Sequence, residues 1–244
     1  MRLEAGEGGF RRPAMDRNEH TLDFSTYLAS LIHDIKNAIG MLLNTTDDIL
    51  DRCTSDNCRS YPLLSNLQYE SKRVNNNLIQ LLTLYKMDKA QLTLNIDYHE
   101  IGDFVEEVIL TNKPLLDFKG IRIDTDIPDS LCWFFDKNLI SGVINNVFNN
   151  AFRYTKDMIK LTTRKDEQGY LVIQIEDNGP GYPESMLNAI PNSPLKTSFF
   201  TGGTGLGLYF AYCVAKLHKN KGREGYILIT NNPDQGGCFS IYLP

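Results

Sequence analysis

Apolar residues between positions 22 and 88 recur in alternating steps of three and four. Ile32, Ile35, Ile39, Leu42, Thr46 and Ile49 keep the spacing of a heptad seam. The stretch "CTSDNCRSYP" interrupts this rhythm with turn formers, and Pro62 suits the first turn of a new helix. The rhythm resumes with Leu64, Leu67, Ser71, Val74, Leu78, Leu81 and Tyr85. Residues 22–92 therefore read as a helical hairpin. A lone pair of helices buries only one face of each, so two hairpins are expected to combine into a homodimeric four-helix bundle.

From about residue 96 the pattern changes. "LTLNIDYHEI", "IRIDTDI", "YLVIQIED", "EGYILITNN" and "GCFSIYLP" have strand composition with partial alternation. Between them lie "GDFVEEVILTNKPLLDFKG", "KNLISGVINNVFNNAFRY" and "GLGLYFAYCVAKLH", which read as helices. Interleaved strands and helices predict a mixed sheet covered on one face, an α/β sandwich over residues 93–244. The fold class of the whole chain is then α+β. Residues 1–21 read as a flexible tail, in which Met15 is an alternative start.

Bulk numbers narrow the function classes. An apolar content of 42% and a charged content of 23% describe an ordinary globular protein. The net charge of −5 gives no general attraction to nucleic acid or anionic lipid. The longest nearly apolar run, "GLGLYFAYCVAKL", is too short for a bilayer, which takes about 20 residues. The first residues hold no apolar signal region, and five cysteines suit a reducing cytoplasm. Cys53 and Cys58 form one C-x4-C without a second ligand pair, a weak basis for a metal or redox role.

Three segments carry candidate chemistry. In "SGVINNVFNNAFRYT", Val143, Ile144, Val147, Phe148, Ala151 and Phe152 form one broad apolar face. Asn146, Asn150, Arg153 and Tyr154 share the opposite stripe. Asparagine is a mediocre helix former, so a cluster of them calls for a compensating role. Amide oxygens suit Mg²⁺, which keeps several waters and shares phosphates, and Asn150 is the metal candidate. Arg153 has the charge to reach phosphate and Tyr154 the ring to pack on a base. "IEDNGPGY" supplies Asp177, Gly179 and Gly181: a carboxylate at a strand end accepts from an exocyclic amine, while glycines let backbone approach a flat ring. "GGTGLGL" places Gly203, Gly205 and Gly207, with Thr204 and Leu206 between them, before an apolar helical run. Backbone N–H groups there converge on phosphate at a helix N-terminus. No G-K-[ST] follows, so this is not a Walker A loop.

From residue 22 to 244 the chain resembles the core of the sensor histidine kinases of two-component signalling. "HDIKN" is similar to the family's H box, "NNVFNNAFRYT" to its N box, "DNGPG" to its G1 box and "GGTGLGL" to its G2 box. The resemblance implies that Asn150 holds Mg²⁺, that Asn146 supports the phosphates of ATP, and that Arg153 and Tyr154 line the nucleotide. Asp177 would read adenine, and the loop from Gly203 to Gly207 would close over the phosphates. His33 would then be the phosphoacceptor, with Asp34 holding the proton of its other ring nitrogen. An acid followed three places later by Asn, here Asp34 and Asn37, accompanies phosphatase activity in similar kinases. The implied partners are a response-regulator receiver domain, a second copy of the chain and, since no input segment precedes the bundle, a separate sensor protein.

Two departures stand out. Ile39 occupies the place of the family's H-box proline, so the helix is expected to run straight. The lid region has no clear F box, with Phe199 and Phe200 the nearest candidates. Rival readings are a dimeric phosphotransfer scaffold without ATP binding, an inhibitory partner of another kinase, and a serine kinase on the same ATP fold. His20, His99 and His218 lack a comparable setting and are expected to be structural or surface residues.

Overall fold

The computed structural model describes residues 24–52, 60–187, 206–233 and 236–244. Helices α1 (Phe24–Leu50) and α2 (Tyr61–Asp88) pack on each other. Gln68 near the start of α2 donates to the Asp47 carboxylate near the end of α1, so the two run antiparallel. Helix α1 continues unbroken through Ile39, as expected without the proline. Pro62 does sit in the first turn of α2.

The heptad seam divides in two. Ile32 and Thr46 are buried and Ile39 half-buried, while Ile35, Leu42 and Ile49 stay exposed. Leu64, Leu78 and Tyr85 of α2 are half-buried, yet Leu67, Val74 and Leu81 are exposed. Burying the Thr46 hydroxyl costs little because it donates to the Leu42 carbonyl at 2.8 Å.

The remainder follows in the order β1 (Asp97–Glu100), α3 (Ile101–Lys119), β2 (Arg122–Asp126), β3 (Cys132–Phe135), α4 (Lys137–Tyr154), β4 (Met158–Lys165) and β5 (Leu171–Asp177). After the short α5 (Glu184–Leu187) come α6 (Leu206–Leu217), β6 (Lys219–Asn220), β7 (Arg223–Glu224), β8 (Tyr226–Asn231) and β9 (Gly237–Leu243). The main sheet has the order β2-β4-β5-β9-β8, with β2 parallel to β4 and the other pairs antiparallel. Strand β1 pairs with β3 and β6 with β7 as small ribbons. Helices α3, α4 and α6 supply apolar residues to one core with the sheet, including Phe104, Ile144, Phe148 and Phe210 against Leu161, Ile173 and Phe239. The mixed sheet expected from the sequence is present.

Strands β3, β4 and the two-residue β6 fall outside the five segments singled out in the sequence. In β4, Ile159, Leu161 and Thr163 are buried, while Lys160, Arg164 and Lys165 are exposed. Charged outward positions dilute the apolar signal of a half-buried strand. Strand β3 is only "CWFF" and is recognisable mainly through its pairing with β1. Conversely, of "LTLNIDYHEI" only the segment from Asp97 to Glu100 is strand.

Helix termini are set locally. Gly120 closes α3 in the left-handed conformation at φ 64°, and the Asp136 side chain accepts from Leu139 N at 3.0 Å to start α4. Asp136 also accepts from Asn95 N at 2.9 Å, in the segment joining α2 to β1. Its own N–H donates to His218 Nε2 at 3.0 Å, and His218 Nδ1 donates to the Val214 carbonyl at 2.8 Å. His218 is buried, and burial pushes its pKa down; the Val214 carbonyl and Asp136 oppose this less strongly. A neutral ring therefore fastens the end of α6 to the start of α4. The expectation of a structural histidine holds in its strongest form.

Candidate functional site

The apolar face of α4 fixes how its polar stripe is presented. Val143, Ile144, Val147, Phe148, Ala151 and Phe152 are all buried, so the helix cannot rotate about its axis. Asn150, Arg153 and Tyr154 emerge at the surface. Asn146, expected on the same open stripe, is instead only 9% exposed. Helix α6 covers it: a Cβ built on Gly207 falls 2.1 Å from Asn146 Nδ2. That amide nitrogen has no hydrogen-bond partner among the described residues. A buried donor left unmade costs about 1–3 kcal/mol, which a bound acceptor such as a phosphate oxygen removes.

Asp177 ends β5 and its Oδ1 accepts from Gly179 N at 2.7 Å. The turn is tight enough that a Cβ on Gly179 meets the Tyr154 carbonyl at 2.3 Å, so the end of α4 lies directly on the "DNG" turn. From the other side, a Cβ on Gly236 falls 1.8 Å from the Asp177 carbonyl and one on Gly237 falls 3.0 Å from Asp177 Oδ2. Gly181 has φ 81°, a conformation that other residues rarely adopt. Tyr182 packs beside Gly237 and Asp177; burial first, then Asp177 and Cys238, pushes its phenol up, so it stays neutral.

Asn178 holds this assembly together. Its Oδ1 accepts from Thr155 Oγ1 at 2.8 Å and from the backbone of Lys156, Asp157 and Met158 at 3.1, 3.3 and 3.3 Å. Its Nδ2 donates to Asp157 Oδ1 at 2.7 Å. The loop leaving α4 is thereby tied to the turn carrying Asp177. Sequence reasoning passed over Asn178, Tyr182 and the pair Gly236 and Gly237. The "DNG" triplet and the doubled glycine before the last strand were the available signals, but their partners lie far along the chain.

The residues fit a Mg-nucleotide in kind. Asn146 supplies an orphaned donor, Asn150 an exposed amide oxygen one turn further on, and Arg153 a guanidinium, 5.4 Å from the Tyr154 ring. A single hard oxygen donor suits Mg²⁺, which takes its remaining ligands from water and phosphate. Gly203, Thr204 and Gly205 lie outside the described residues, as do Phe199, Phe200, Cys53 and Cys58. Of that glycine loop, only Leu206 and Gly207 are described, opening α6.

A second cluster sits on α1. The His33 side chain is 61% exposed, with Nδ1 3.5 Å from Asp34 Oδ1 and 3.4 Å from the Asn37 amide nitrogen. Both contacts lie at the Nδ1 edge, which leaves Nε2 as the other ring nitrogen of a largely exposed side chain. The two clusters occupy different elements. Helix α2 packs on α4 and α6, and its Leu84 and Met87 reach the apolar core of the sheet unit.

Comparisons with known proteins bear on the fold and the family. Residues 135–244 match the family described as histidine kinase-, DNA gyrase B-, and HSP90-like ATPase. Sensor protein SrrB of Staphylococcus aureus is 26% identical over 235 residues, covering 93% of this chain and 39% of its own length. The chain thus spans well under half of that relative. Among solved structures, full-length ShkA in complex with AMPPNP superposes with TM-score 0.62 at 20% identity, over 89% of this chain and 45% of its own. Acinetobacter baumannii histidine kinase AdeS superposes with TM-score 0.55 at 20% identity, over 86% of this chain and 96% of its own. No described helix is long and apolar enough to cross a membrane. Residues 135–244 are therefore a domain of the histidine kinase-, DNA gyrase B- and HSP90-like ATPase family, in a chain homologous to sensor histidine kinases.

Proposed function

We propose that the chain is a histidine kinase core that phosphorylates His33 from Mg-ATP and passes the phosphoryl group to an aspartate of a response-regulator receiver domain. Residues 22–92 would be the dimerising phosphoacceptor unit and residues 93–244 the ATP-binding unit. The buried Asn146 beneath Gly207, whose amide nitrogen has no partner among the described residues, carries this reading, because it asks for a phosphate-like acceptor next to the start of α6. Bound Mg²⁺ would be held by Asn150 and would offset phosphate charge. Asn146 and Arg153 would hold the phosphates, Tyr154 would pack on the base, and Asp177 would accept from the exocyclic amine of adenine.

At His33 the Nε2 lone pair forms the N–P bond while the γ-phosphorus–oxygen bond breaks, and the electron pair leaves with ADP. This requires the proton on Nδ1, facing the Asp34 carboxylate, which offsets the charge that develops on the ring. Asn37 then has to present its oxygen rather than its nitrogen to that edge, an amide flip that costs nothing in shape. The exposed half of the heptad seam supports a homodimer, since Ile35, Leu42 and Ile49 repeat every seven residues along one side of α1. An ATP substrate and a receiver partner suit a cytoplasmic protein.

The test is incubation with γ-labelled ATP followed by acid and alkali. Label that is acid-labile and alkali-stable, lost in Asn150→Ala and in His33→Ala, is expected. Acid-stable label would point to a serine kinase, and no label at all to a scaffold or inhibitor.

A further inference from the structure

A cleft of about 360 Å³ separates the hairpin from the sheet unit, walled by α2, α3 and the end of α4. That volume falls in the ordinary range for small-molecule sites, roughly 300–1,000 Å³. Arg73, Lys119 and Arg153 line it against one carboxylate, Glu70, so the cleft is cationic in a chain of net charge −5. Arg73 contacts Glu70 at 2.5 Å, yet its Nε is buried without a partner among the described residues. Lys119 Nζ donates to the Phe152 carbonyl at 2.8 Å and lies 5.2 Å from the centre of the Tyr69 ring. Phe118, exposed although fully apolar, and Leu115 complete the wall. Asn146, Asp177, Gly179 and Gly207 do not line it; Arg153 alone is shared with the proposed nucleotide cluster.

We infer that this cleft binds a small organic anion, a phosphate or carboxylate carried on a flat apolar body, and that the ligand bridges the hairpin to the sheet unit. The anionic head meets the guanidinium groups of Arg73 and Arg153 and the ammonium of Lys119, whose field is concentrated between low-dielectric walls. The apolar body covers Phe118 and Leu115 beside the Tyr69 ring. Walls from α2 on one side and from α3 and α4 on the other make occupancy favour the docked arrangement. Resting on the nucleotide reading, the shared Arg153 makes such a ligand compete in part with ATP.

Calorimetry on the full chain tests this with phenyl phosphate, using inorganic phosphate and benzyl alcohol as single-feature controls. Phenyl phosphate is expected to bind at least tenfold more tightly than either control. Arg73→Gln should weaken it about tenfold, the loss of one charge-assisted hydrogen bond. Lys119→Gln should act in the same direction, with circular dichroism verifying that α4 survives loss of the Phe152 contact. Asn150→Ala should leave phenyl phosphate binding unchanged. Equal affinity for all three probes, or binding lost in Asn150→Ala and kept in Arg73→Gln, would overturn the proposal. Failure of ADP to bind the wild type would count against the nucleotide reading alone, because the cleft is assayed without nucleotide.

Discussion

Gly207 and Gly102 are both helical glycines, yet their surroundings give opposite expectations. A methyl group on Gly207 would land on the buried Asn146 amide, whereas one on Gly102 meets nothing within 4 Å. Gly207→Ala is therefore expected to lower nucleotide affinity by more than tenfold, because the added methyl would push the Asn146 amide out of its place beneath α6. Gly102→Ala should leave affinity alone and add up to about 1 kcal/mol of stability through helix propensity. Titration calorimetry with ADP and chemical denaturation separate the two. His218 gives a pH dependence whose sign is fixed by its surroundings. Its folded pKa lies below the ordinary value of 6.5, so the unfolded chain takes the proton first. Stability is then fully present above about pH 6.5 and declines as pH falls below it, until the folded ring itself titrates. His218→Gln keeps an acceptor for Asp136 N and a donor for the Val214 carbonyl, and should flatten this slope in urea unfolding between about pH 7 and about pH 5.5. A slope unchanged by the substitution would assign the acid sensitivity to other groups.

Helices α1 and α2 each spend half of their apolar seam on the other and leave half uncovered. Ile35→Asp with Val74→Asp is expected to give a monomer by light scattering with helix content retained, since both positions are exposed within a single hairpin. In a dimer each would bury an unpaired carboxylate. A dimer that survives both changes would remove the seam from the interface. Much of this element-level picture was legible in the letters, because helical spacing is a local property. The seam positions, the break before Pro62, the apolar face of α4 and the unkinked course past Ile39 all follow from neighbours within a few turns. Strand β4 was not legible in the same way. Its outward Lys160, Thr162 and Arg164 hide an alternation whose sense is set by β5, which pairs with it in register Leu161 to Ile175.

Across the whole molecule, His33 lies on α1 while the proposed nucleotide cluster is built from α4, the end of β5 and α6. The proposed transfer from ATP to Nε2 requires these two clusters to meet. Dephosphorylation of a docked regulator needs no such approach, only an amide able to orient a water beside the phospho-aspartate. Asn37→Ala is accordingly expected to keep autophosphorylation near normal and to lose most regulator dephosphorylation in the presence of ADP. His33→Ala should lose labelling entirely. Equal decay of phosphorylated regulator with wild type and Asn37→Ala would take Asn37 out of the reaction.

The sequence by itself determined the two kinds of architecture and the kinds of residue able to meet a nucleotide, because periodicity and residue chemistry act over short stretches of chain. It singled out Asn146 and Asn150 as amides calling for a role, Asp177 as a carboxylate at a turn, and Gly179, Gly181 and Gly207 among the glycines as places of close approach. Only the tertiary structure decided what approaches what. Gly207 closes on Asn146 across 61 positions of chain, Gly236 on Asp177, and Asn178 on the backbone of Lys156 through Met158. These contacts are set by the order of strands in the sheet and by the packing of α6 over α4, which no local pattern encodes. The cationic cleft belongs to the same category: Arg73, Lys119 and Arg153 are ordinary surface cations on their own helices and line one cleft only where the three helices converge.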